Sequence, residues 1–498
     1  MKSPVLWICL CVLCVAFGLG GPARSDVPAL SSRATLEFGA NDFRISDAGT
    51  DGNDELDAGD PAVAYNSTDN EYLVVWTAAV DPPTPPFSLP FTEVYGQRID
   101  AATGAELGTN DFQISDRNTS RNGAAKSAVV AYNSVDNEYL VVWSGNPGPL
   151  SSAEEEVFGQ RIDAATGAEI GTNDFRISDM GVDGEIAWEA GFPAVAYNRV
   201  DNEYLVVWTG DDPANSASSY AQIYGQRLNA ATGLEVGTND FLISNVVFPA
   251  WWNYTAALAH DFIGNEYLVV WTGEPANLEN DIYGQRLDAA TGAEVGTNDF
   301  RISDMGPDGV GQWRGEKPSV AFGDVANEYL VVWQGSDDQG TLVQYEVEIF
   351  GQRIDARTGA EVGLNDFRIS NMGPDGDTSF NALTPDVAYN HARNNYVVVW
   401  SADDDSGDLV DDENEVYVQR IDAATGTQVG LNDFRLSDMG PDGNAAFDAW
   451  FPALAGNEKQ DRYLVVWKGD DNTGLLVDGE FEIYGQRLFL PLLRLFKS

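Results

Sequence analysis

The apolar segment Asn-Glu-Tyr-Leu-Val-Val-Trp at 70–76 returns six more times in nearly the same form. The tryptophans that end the seven copies lie 67, 65, 63, 62, 67 and 67 positions apart, at Trp76, Trp143, Trp208, Trp271, Trp333, Trp400 and Trp467. Self-similarity at a fixed period is typical of repeat architectures. Because the repeats run from about Asn41 to Arg487, they leave no room for a second ordinary domain.

Each repeat holds four short segments rich in β-branched and aromatic residues and separated by turn formers, a pattern typical of strands. In the first repeat they lie at 61–66 (PAVAYN), 70–76 (NEYLVVW), 94–99 (VYGQRI) and 111–115 (DFQIS). The second segment is apolar on both faces, as expected for a sheet covered on both sides. Seven units of four antiparallel strands predict an all-β seven-bladed β-propeller.

The pattern begins with a lone fourth strand at 41–46 and ends with a third strand near Arg487. We therefore predict that the N-terminal strand completes the last blade and leaves no unpaired strand edge at the junction.

The YLVVW, YGQR and NDFRIS segments, in this order and at this period, resemble the repeats of uncharacterised secreted bacterial β-propeller proteins. The resemblance covers nearly all of the chain after residue 40. It implies the fold but no activity. The Asp/Gly loops are faintly similar to those of integrin-type propellers, without their denser Asp-x-Asp-x-Asp-Gly pattern.

The two ends of the chain differ from the repeats. Residues 1–25 combine Lys2, an apolar run at 5–19 and the small residues of Ala23-Arg24-Ser25, which predicts a secretory signal peptide. We expect a linker at 26–40, the propeller at 41–488 and an apolar tail at 489–498. The tail either packs along the closing blade or serves as a sorting or attachment signal. The protein is thus expected to be secreted or at the cell surface, with no transmembrane segment in the mature chain.

Composition excludes several kinds of function. All three cysteines lie inside the leader, so the mature chain has no disulfide or thiol chemistry. The whole sequence carries 28 Lys and Arg against 78 Asp and Glu, a formal net charge of −50, and loss of Lys2 and Arg24 makes it −52. Such a surface repels nucleic acid and attracts cations. With two histidines, His260 and His391, a histidine-rich metal site is not expected.

The connections between strands differ in how much they vary. The first-to-second and third-to-fourth turns barely change, whereas the second-to-third and fourth-to-first loops vary in length and sequence. In a propeller these two variable sets emerge on one face, which we call the variable face. Function is expected there, because binding residues are concentrated on loops held by a rigid scaffold.

The fourth-to-first loops carry a repeated Asp/Gly pattern whose oxygens suit a hard cation, and calcium is the cation we expect if they bind one. The candidate ligands are Asp47, Asp51, Asp179, Asp183, Asp304, Asp308, Asp375, Asp438 and Asp442. The alternative is a tight turn whose Asp side chains cap backbone amides. The second-to-third loop at 403–415 adds eight carboxylates in thirteen residues.

Large aromatic residues collect just before the first strands, on the same face. The candidates for ligand binding are Trp188, Trp251, Trp252, Trp313, Phe380 and Trp450. They could stack on sugar rings or anchor a protein partner. The alternative is that each fills a gap between neighbouring blades.

The sequence therefore favours a secreted, monomeric, non-enzymatic binding propeller that takes a glycan or a protein at its variable face. Nearly every notable residue recurs with the repeat, whereas a catalytic site needs a singular constellation. The alternative is a carbohydrate-active enzyme with carboxylates on the same face, for which Glu189 and Glu316 beside rim tryptophans are the first candidates. The repeated arginine of YGQR is expected to pair with the Asp that opens each fourth strand, for example Asp111.

Overall fold

In a computed structural model, the EYLVVW segments form the second strand of every blade. The structure describes residues 37–489 except positions 48, 50, 54–55, 82–90, 117–123, 147–153, 182–188, 212–219, 245–247, 250–254, 274–279, 308–312, 338–339, 405–408, 458–459 and 472–473. The predicted leader and nearly all of the predicted tail lie outside the described residues.

Within these ranges the chain forms 29 strands. In chain order they are β1 (Phe43–Arg44), β2 (Ala58–Asn66), β3 (Glu71–Asp81), β4 (Phe91–Asp100), β5 (Glu106–Gln113), β6 (Lys126–Asn133), β7 (Glu138–Gly145), β8 (Glu156–Asp163), β9 (Glu169–Arg176), β10 (Ala190–Asn198), β11 (Glu203–Asp211), β12 (Tyr220–Asn229), β13 (Glu235–Leu242), β14 (Phe248–Pro249), β15 (Ala256–Asp261), β16 (Glu266–Gly273), β17 (Asp281–Asp288), β18 (Glu294–Arg301), β19 (Arg314–Gly323), β20 (Glu328–Ser336), β21 (Glu348–Asp355), β22 (Glu361–Arg368), β23 (Ala382–Asn390), β24 (Asn395–Asp403), β25 (Asn414–Asp422), β26 (Gln428–Arg435), β27 (Ala449–Asn457), β28 (Arg462–Asp470) and β29 (Phe481–Phe489).

The strands build seven antiparallel sheets, each in the order first, second, third, fourth, which confirms the seven-bladed β-propeller. Blade 1 is β2-β3-β4-β5, and the following blades take the next strands in turn. Blade 3 also has the short strand β14 against β12. Blade 7 is β27-β28-β29 completed by β1, with Phe43 opposite Gly485 and Arg44 opposite Tyr484. The predicted closure by the N-terminal strand is therefore confirmed.

Within the described part of the chain, no helix has the length and apolarity that crossing a membrane requires.

The hydrophobic core lies between blades. In blade 1, Tyr72, Val74 and Trp76 of the second strand pack against blade 7. The alternate residues Leu73 and Val75 pack against blade 2. Successive side chains of a strand point to opposite faces, so the unbroken apolar run of EYLVVW supplies both interfaces. The first strands of neighbouring blades contact one another and therefore line the central channel.

The predicted pairing of the YGQR arginine with the fourth-strand Asp is wrong. Arg98 donates from Nε and Nη2 to the two carboxylate oxygens of Glu71, at 2.9 and 2.8 Å. Arg98 lies opposite Leu73, which makes Glu71 its diagonal neighbour on the same face of the sheet. The equivalent pairs are Arg161 with Glu138, Arg227 with Glu203, Arg286 with Glu266 and Arg353 with Glu328. Asp111 instead accepts the backbone N–H of Asp47 from the neighbouring blade, at 2.6 Å.

Candidate functional site

Within the described residues, six of the seven first strands show a β-bulge near the variable face. The register shifts between Gly59 and Ala62 in blade 1, and at the equivalent place in blades 2, 3, 5, 6 and 7. One residue of each bulge has a left-handed backbone with φ between 51° and 55°. These six residues, which we call the bulge ring, are Asp60, Ser127, Phe192, Lys317, Thr384 and Phe451.

Five of the six amino acids of the bulge ring, all except Asp60, are not those that this backbone favours. Two other left-handed positions hold a residue other than glycine in all seven blades, and both hold asparagine or aspartate, as at Asn70 and Asp111. Asn and Asp tolerate this conformation, whereas β-branched and bulky residues such as Thr384 and Phe451 are outliers there. In five blades the next residue is proline, which by itself favours an extended backbone. The backbone conformation at this position is thus the same in all six blades, whereas the amino acid varies between blades.

Members of the bulge ring approach one another across the channel. The Lys317 ammonium of blade 5 lies 5.6 Å from the centroid of the Phe451 ring of blade 7. Blade 6 separates these two blades around the ring, so the contact spans the channel mouth. Phe192 and Phe451 are 37% and 42% exposed, large fractions for phenylalanine side chains. The ring therefore presents apolar faces and charged groups together to the solvent in the channel.

Electrostatics at the mouth are mixed. Solvent reaches Asp60, but the channel walls displace bulk water around it, and this desolvation raises the pKa of Asp60 against the influence of Lys468 and Lys317. Burial lowers the pKa of Lys317, while Glu316 and Asp60 act in the opposite direction. The mouth therefore combines acidic, basic, hydroxyl and aromatic side chains within one ring.

The two carboxylates suggested for an enzyme lie on this rim. Glu316 accepts a hydrogen bond from Asn280 Nδ2 at 2.8 Å and pairs with Arg314 at 3.3 Å. Burial raises the pKa of Glu189, and the nearby Glu155 and Asp211 raise it further. Glu316 is thus held by donors of its own blade and of blade 4, an arrangement that fixes a carboxylate in place.

The predicted aromatic rim is only partly described, because Trp188, Trp251 and Trp252 lie outside the described residues. Phe380 is 6% exposed, and its ring packs directly against Gly373, in the space that a β-carbon there would need. Trp313 is half-buried and packs against Gly306 in the same way. Trp450 is half-buried in β27, next to Phe451 of the bulge ring. Of these side chains, Trp450 lies beside the channel mouth.

The carboxylates of the Asp/Gly loops face the arginine that ends the fourth strand. The pairs are Arg44 with Asp47 and Asp51 (3.2 and 3.0 Å), Arg176 with Asp179 (3.0 Å), Arg301 with Asp304 (3.0 Å), Arg368 with Asp375 (2.7 Å), and Arg435 with Asp438 and Asp442 (both 2.9 Å). Asp183 and Asp308 lie outside the described residues. A guanidinium thus already faces the oxygens that the sequence offered to a cation.

Beneath these loops lies a repeated set of buried carboxylates that the sequence analysis missed. Glu415 contacts the Ser437 hydroxyl and accepts the backbone N–H of Met439 at 3.1 Å. Burial raises the pKa of Glu415 to about 8, and those of Glu93, Glu156 and Glu348 to about 7. The sequence did carry an indication of this set. In blade 3, Gln222 replaces the glutamate, and Leu242 replaces the arginine that ends the fourth strand.

A second buried glutamate precedes the first by two residues in blade 2, at Glu154, and in blades 5, 6 and 7, where the loops read LVQYEVE, LVDDENE and LVDGEFE. Glu413 is fully buried, and its Oε2 accepts the backbone N–H groups of Val410 and Gly443 at 3.1 and 2.9 Å. Among the described residues, its other oxygen, Oε1, is buried without a hydrogen-bond partner. Oxygens of Glu413, Glu415 and Asp442 lie within 4.8 Å of one another.

No protein-family profile and no curated protein matches this chain. Among solved structures it is similar to the family 93 α-L-arabinofuranosidase of Fusarium graminearum in complex with arabinobiose, with a TM-score of 0.47, 11% identity and coverage of 90% of this chain and 97% of that one. A family 25 polysaccharide lyase, an ulvan lyase, gives a TM-score of 0.48, 10% identity and coverage of 88% and 94%. The Dos1 propeller gives a TM-score of 0.43, 10% identity and coverage of 91% of this chain and 95% of that one. At these values the likenesses bear on neither the activity nor the ligand of this chain.

Proposed function

We propose that this protein is a secreted, non-enzymatic binding propeller that takes its ligand at the mouth of the central channel on the variable face. The bulge ring supports this proposal above all other features. Backbone strain of roughly 1–3 kcal/mol per residue persists only where the surrounding structure or function maintains it. Here the chain keeps strained Phe192, Thr384 and Phe451 at positions where glycine or asparagine would cost less.

A glycan is the ligand class that suits this ring best. Phe192 and Phe451 offer exposed aromatic faces, against which the C–H faces of a sugar can stack. Asp60 and Ser127 offer groups that can hydrogen-bond to hydroxyls. Apolar surface combined with a few polar groups is the usual composition of a small-ligand site.

Glycan-array screening followed by calorimetry tests the proposal. We expect wild-type protein to bind an oligosaccharide, and Phe451→Ala and Phe192→Ala to weaken binding at least tenfold. Leu364→Ala is the matched control, because Leu364 is a 78% exposed apolar residue on the outer strand β22. Absence of glycan binding by the wild type, or equal binding by Phe451→Ala, would refute the glycan proposal. Release of new reducing ends from the bound oligosaccharide would favour the enzyme instead.

We further propose that calcium stabilises the variable face at blade 6. All seven described candidate aspartates pair with a fourth-strand arginine, and Asp442 also belongs to the cluster with Glu413 and Glu415. Within the described residues, the buried Glu413 Oε1 lacks a hydrogen-bond partner, as does Glu346 Oε1 in blade 5, but three carboxylates converge at blade 6 alone. A hard cation would satisfy the Glu413 oxygen. Calcium at this place would hold the second-to-third loop against the fourth-to-first loop.

Thermal unfolding in EDTA and in millimolar calcium tests this second proposal. We expect calcium to raise the melting temperature by a few degrees in the wild type, because a ligand of the native state stabilises it. Glu413→Gln should abolish the shift. Glu346→Gln, the equivalent change in blade 5, should leave it intact. No shift in the wild type, or an equal shift in Glu413→Gln, would rule out this calcium site.

A further inference from the structure

The opposite end of the channel, at the first-to-second turns, carries a second ring of side chains. Each first strand places one residue there, two positions before its connecting turn begins. The residues are Tyr65, Tyr132, Tyr197, His260, Phe322, Tyr389 and Gly456. Six are aromatic and the seventh is glycine, so the ring has a gap at blade 7.

A cavity of about 350 Å³ opens at this gap. Its walls are Tyr197, His260, Phe262, Phe322 and Tyr389, with Arg199 at the rim and small alanine residues between the rings. Gly456 lines it where the other blades place an aromatic ring. The volume lies at the small end of the range for ligand pockets. The missing ring at blade 7 therefore leaves one side of the cavity without an aromatic wall.

The polar groups of the walls are fixed by their own blades. The Tyr197 and Tyr389 hydroxyls donate to Asn202 Oδ1 and Asn394 Oδ1, at 2.8 and 2.9 Å. His260 Nε2 lies 3.1 Å from Asn265 Oδ1, which places the ring proton on Nε2. Burial lowers the pKa of His260, so the imidazole is neutral at pH 7.

The cavity is cationic in an acidic protein. Arg199 Cζ lies 3.7 Å from the centroid of the Phe262 ring, and Phe262 meets Phe322 edge to face at 5.5 Å. In blades 1 and 2 the position of Arg199 is serine. None of the described residues that line the cavity is acidic, although the sequence holds 78 Asp and Glu.

The two carboxylates that act on His260, Asp201 and Asp261, are already engaged. Asp201 Oδ2 accepts a hydrogen bond from Asn265 at 2.8 Å. Asp261 Oδ1 accepts the N–H groups of Ile263 and Gly264 at 2.7 and 3.0 Å. Among the described residues of the lining, Arg199 is thus the charged group that the cavity offers to a ligand.

We propose that this cavity is a second binding site, for a small anionic ligand with a flat apolar body, such as an aromatic carboxylate. The Arg199 guanidinium binds the carboxylate as a hydrogen-bonded ion pair. The rings of Phe262, Phe322 and Tyr389 enclose the flat body, and the gap at Gly456 admits it. This site is separate from the bulge ring, since it lies at the other end of the channel.

Saturation-transfer NMR and calorimetry with benzoate test the proposal. We expect saturable binding of benzoate and at least tenfold weaker binding of benzyl alcohol, which keeps the flat ring without the charge. Cyclohexanecarboxylate, which keeps the charge without the flat ring, should also bind more weakly.

The repeats supply the variants. Arg199→Ser restores the residue of blade 2 and should weaken benzoate binding at least tenfold, and Gly456→Tyr restores the missing ring and should abolish it. A β-carbon on Gly456 would lie 3.1 Å from the Tyr463 ring, so the fold of this variant is checked by its melting temperature. Arg357→Ala is the control: it removes an exposed charge from a turn where blade 1 has Ala102. No saturable benzoate binding, or equal binding by Arg199→Ser, would overturn the proposal.

Discussion

Asn202 and Phe451 have the same left-handed backbone, with φ angles of 54° and 55°, but only one of them is held by side-chain hydrogen bonds. Asn202 accepts the Tyr197 hydroxyl and donates to Asp136 of the preceding blade at 2.9 Å. Phe451 faces the channel and Lys317. The same strained backbone therefore joins neighbouring blades at one position and presents a side chain to solvent at the other.

Replacing each of these two residues with glycine should have opposite effects on stability. Phe451→Gly removes a strained side chain, so the free energy of unfolding should stay level or rise by about 1 kcal/mol. Asn202→Gly deletes two hydrogen bonds and should cost about 1–3 kcal/mol. Denaturant unfolding measures both. A clear loss of stability in Phe451→Gly would show that its ring packs for structure.

The Arg286 to Glu266 pair should contribute to stability and not to binding. Arg286 is buried and Glu266 only partly so, at a distance of 2.5 Å. Arg286→Ala should lower the free energy of unfolding by about 2–4 kcal/mol, since it leaves a half-buried carboxylate without its partner. A double-mutant cycle with Glu266→Ala isolates the pair. A coupling energy near zero would contradict this account.

Stability should fall as pH rises from about 5 to 8. The pKa of Glu415 is raised from its ordinary 4.5 to about 8, so the native state binds its proton more tightly than the unfolded chain. The stabilisation is therefore complete below about pH 4.5 and is lost as pH rises through about 8. The buried Glu93, Glu156 and Glu348, with pKa values of about 7, act in the same direction.

Melting temperatures of the wild type and Glu415→Gln at pH 5 and pH 8 check this prediction. The variant copies Gln222 of blade 3 and should lose less stability over this range. Hydrogen bonds from Thr341 and Arg368 lower the pKa of Asp375. The stability that Asp375 contributes is therefore lost as the pH falls below about 4. A wild type that is more stable at pH 8 than at pH 5 would contradict the prediction.

Blade 7 should open locally more readily than the others. Its fourth strand is the two-residue β1, held to β29 in part by Arg44 and Ser46, which both contact the buried Glu482. Arg44→Ala should speed amide hydrogen exchange in β29. Arg301→Ala, which removes the equivalent arginine 2.7 Å from Asp281 in blade 4, is the control and should affect exchange in β17 less. Equal effects in the two blades would argue against a weak closure.

The fold was predictable because the EYLVVW period fixes both the number of blades and the strand that each blade buries. The bulge ring was not predictable, since its members share a backbone and no residue type. The sequence feature that marks the bulge ring is a proline that recurs between blades and is preceded by a residue that varies, as at Asp60-Pro61 and Phe192-Pro193. The arginine partner was mispredicted because a bulge between Gly96 and Arg98 moves Asp111 out of register.

The two strands that close the ring, β1 and β29, are also synthesised at very different times. Arg44 and its partner Glu482 are 438 residues apart in the chain. At a synthesis rate of about 5–20 residues per second, the first strand waits on the order of 20–90 seconds for the strand it pairs with. Blades 1 to 6 can each fold from contiguous sequence during that time. A nascent chain therefore passes through an incomplete ring with an exposed apolar edge, and it is in this interval that a chaperone would have most to protect.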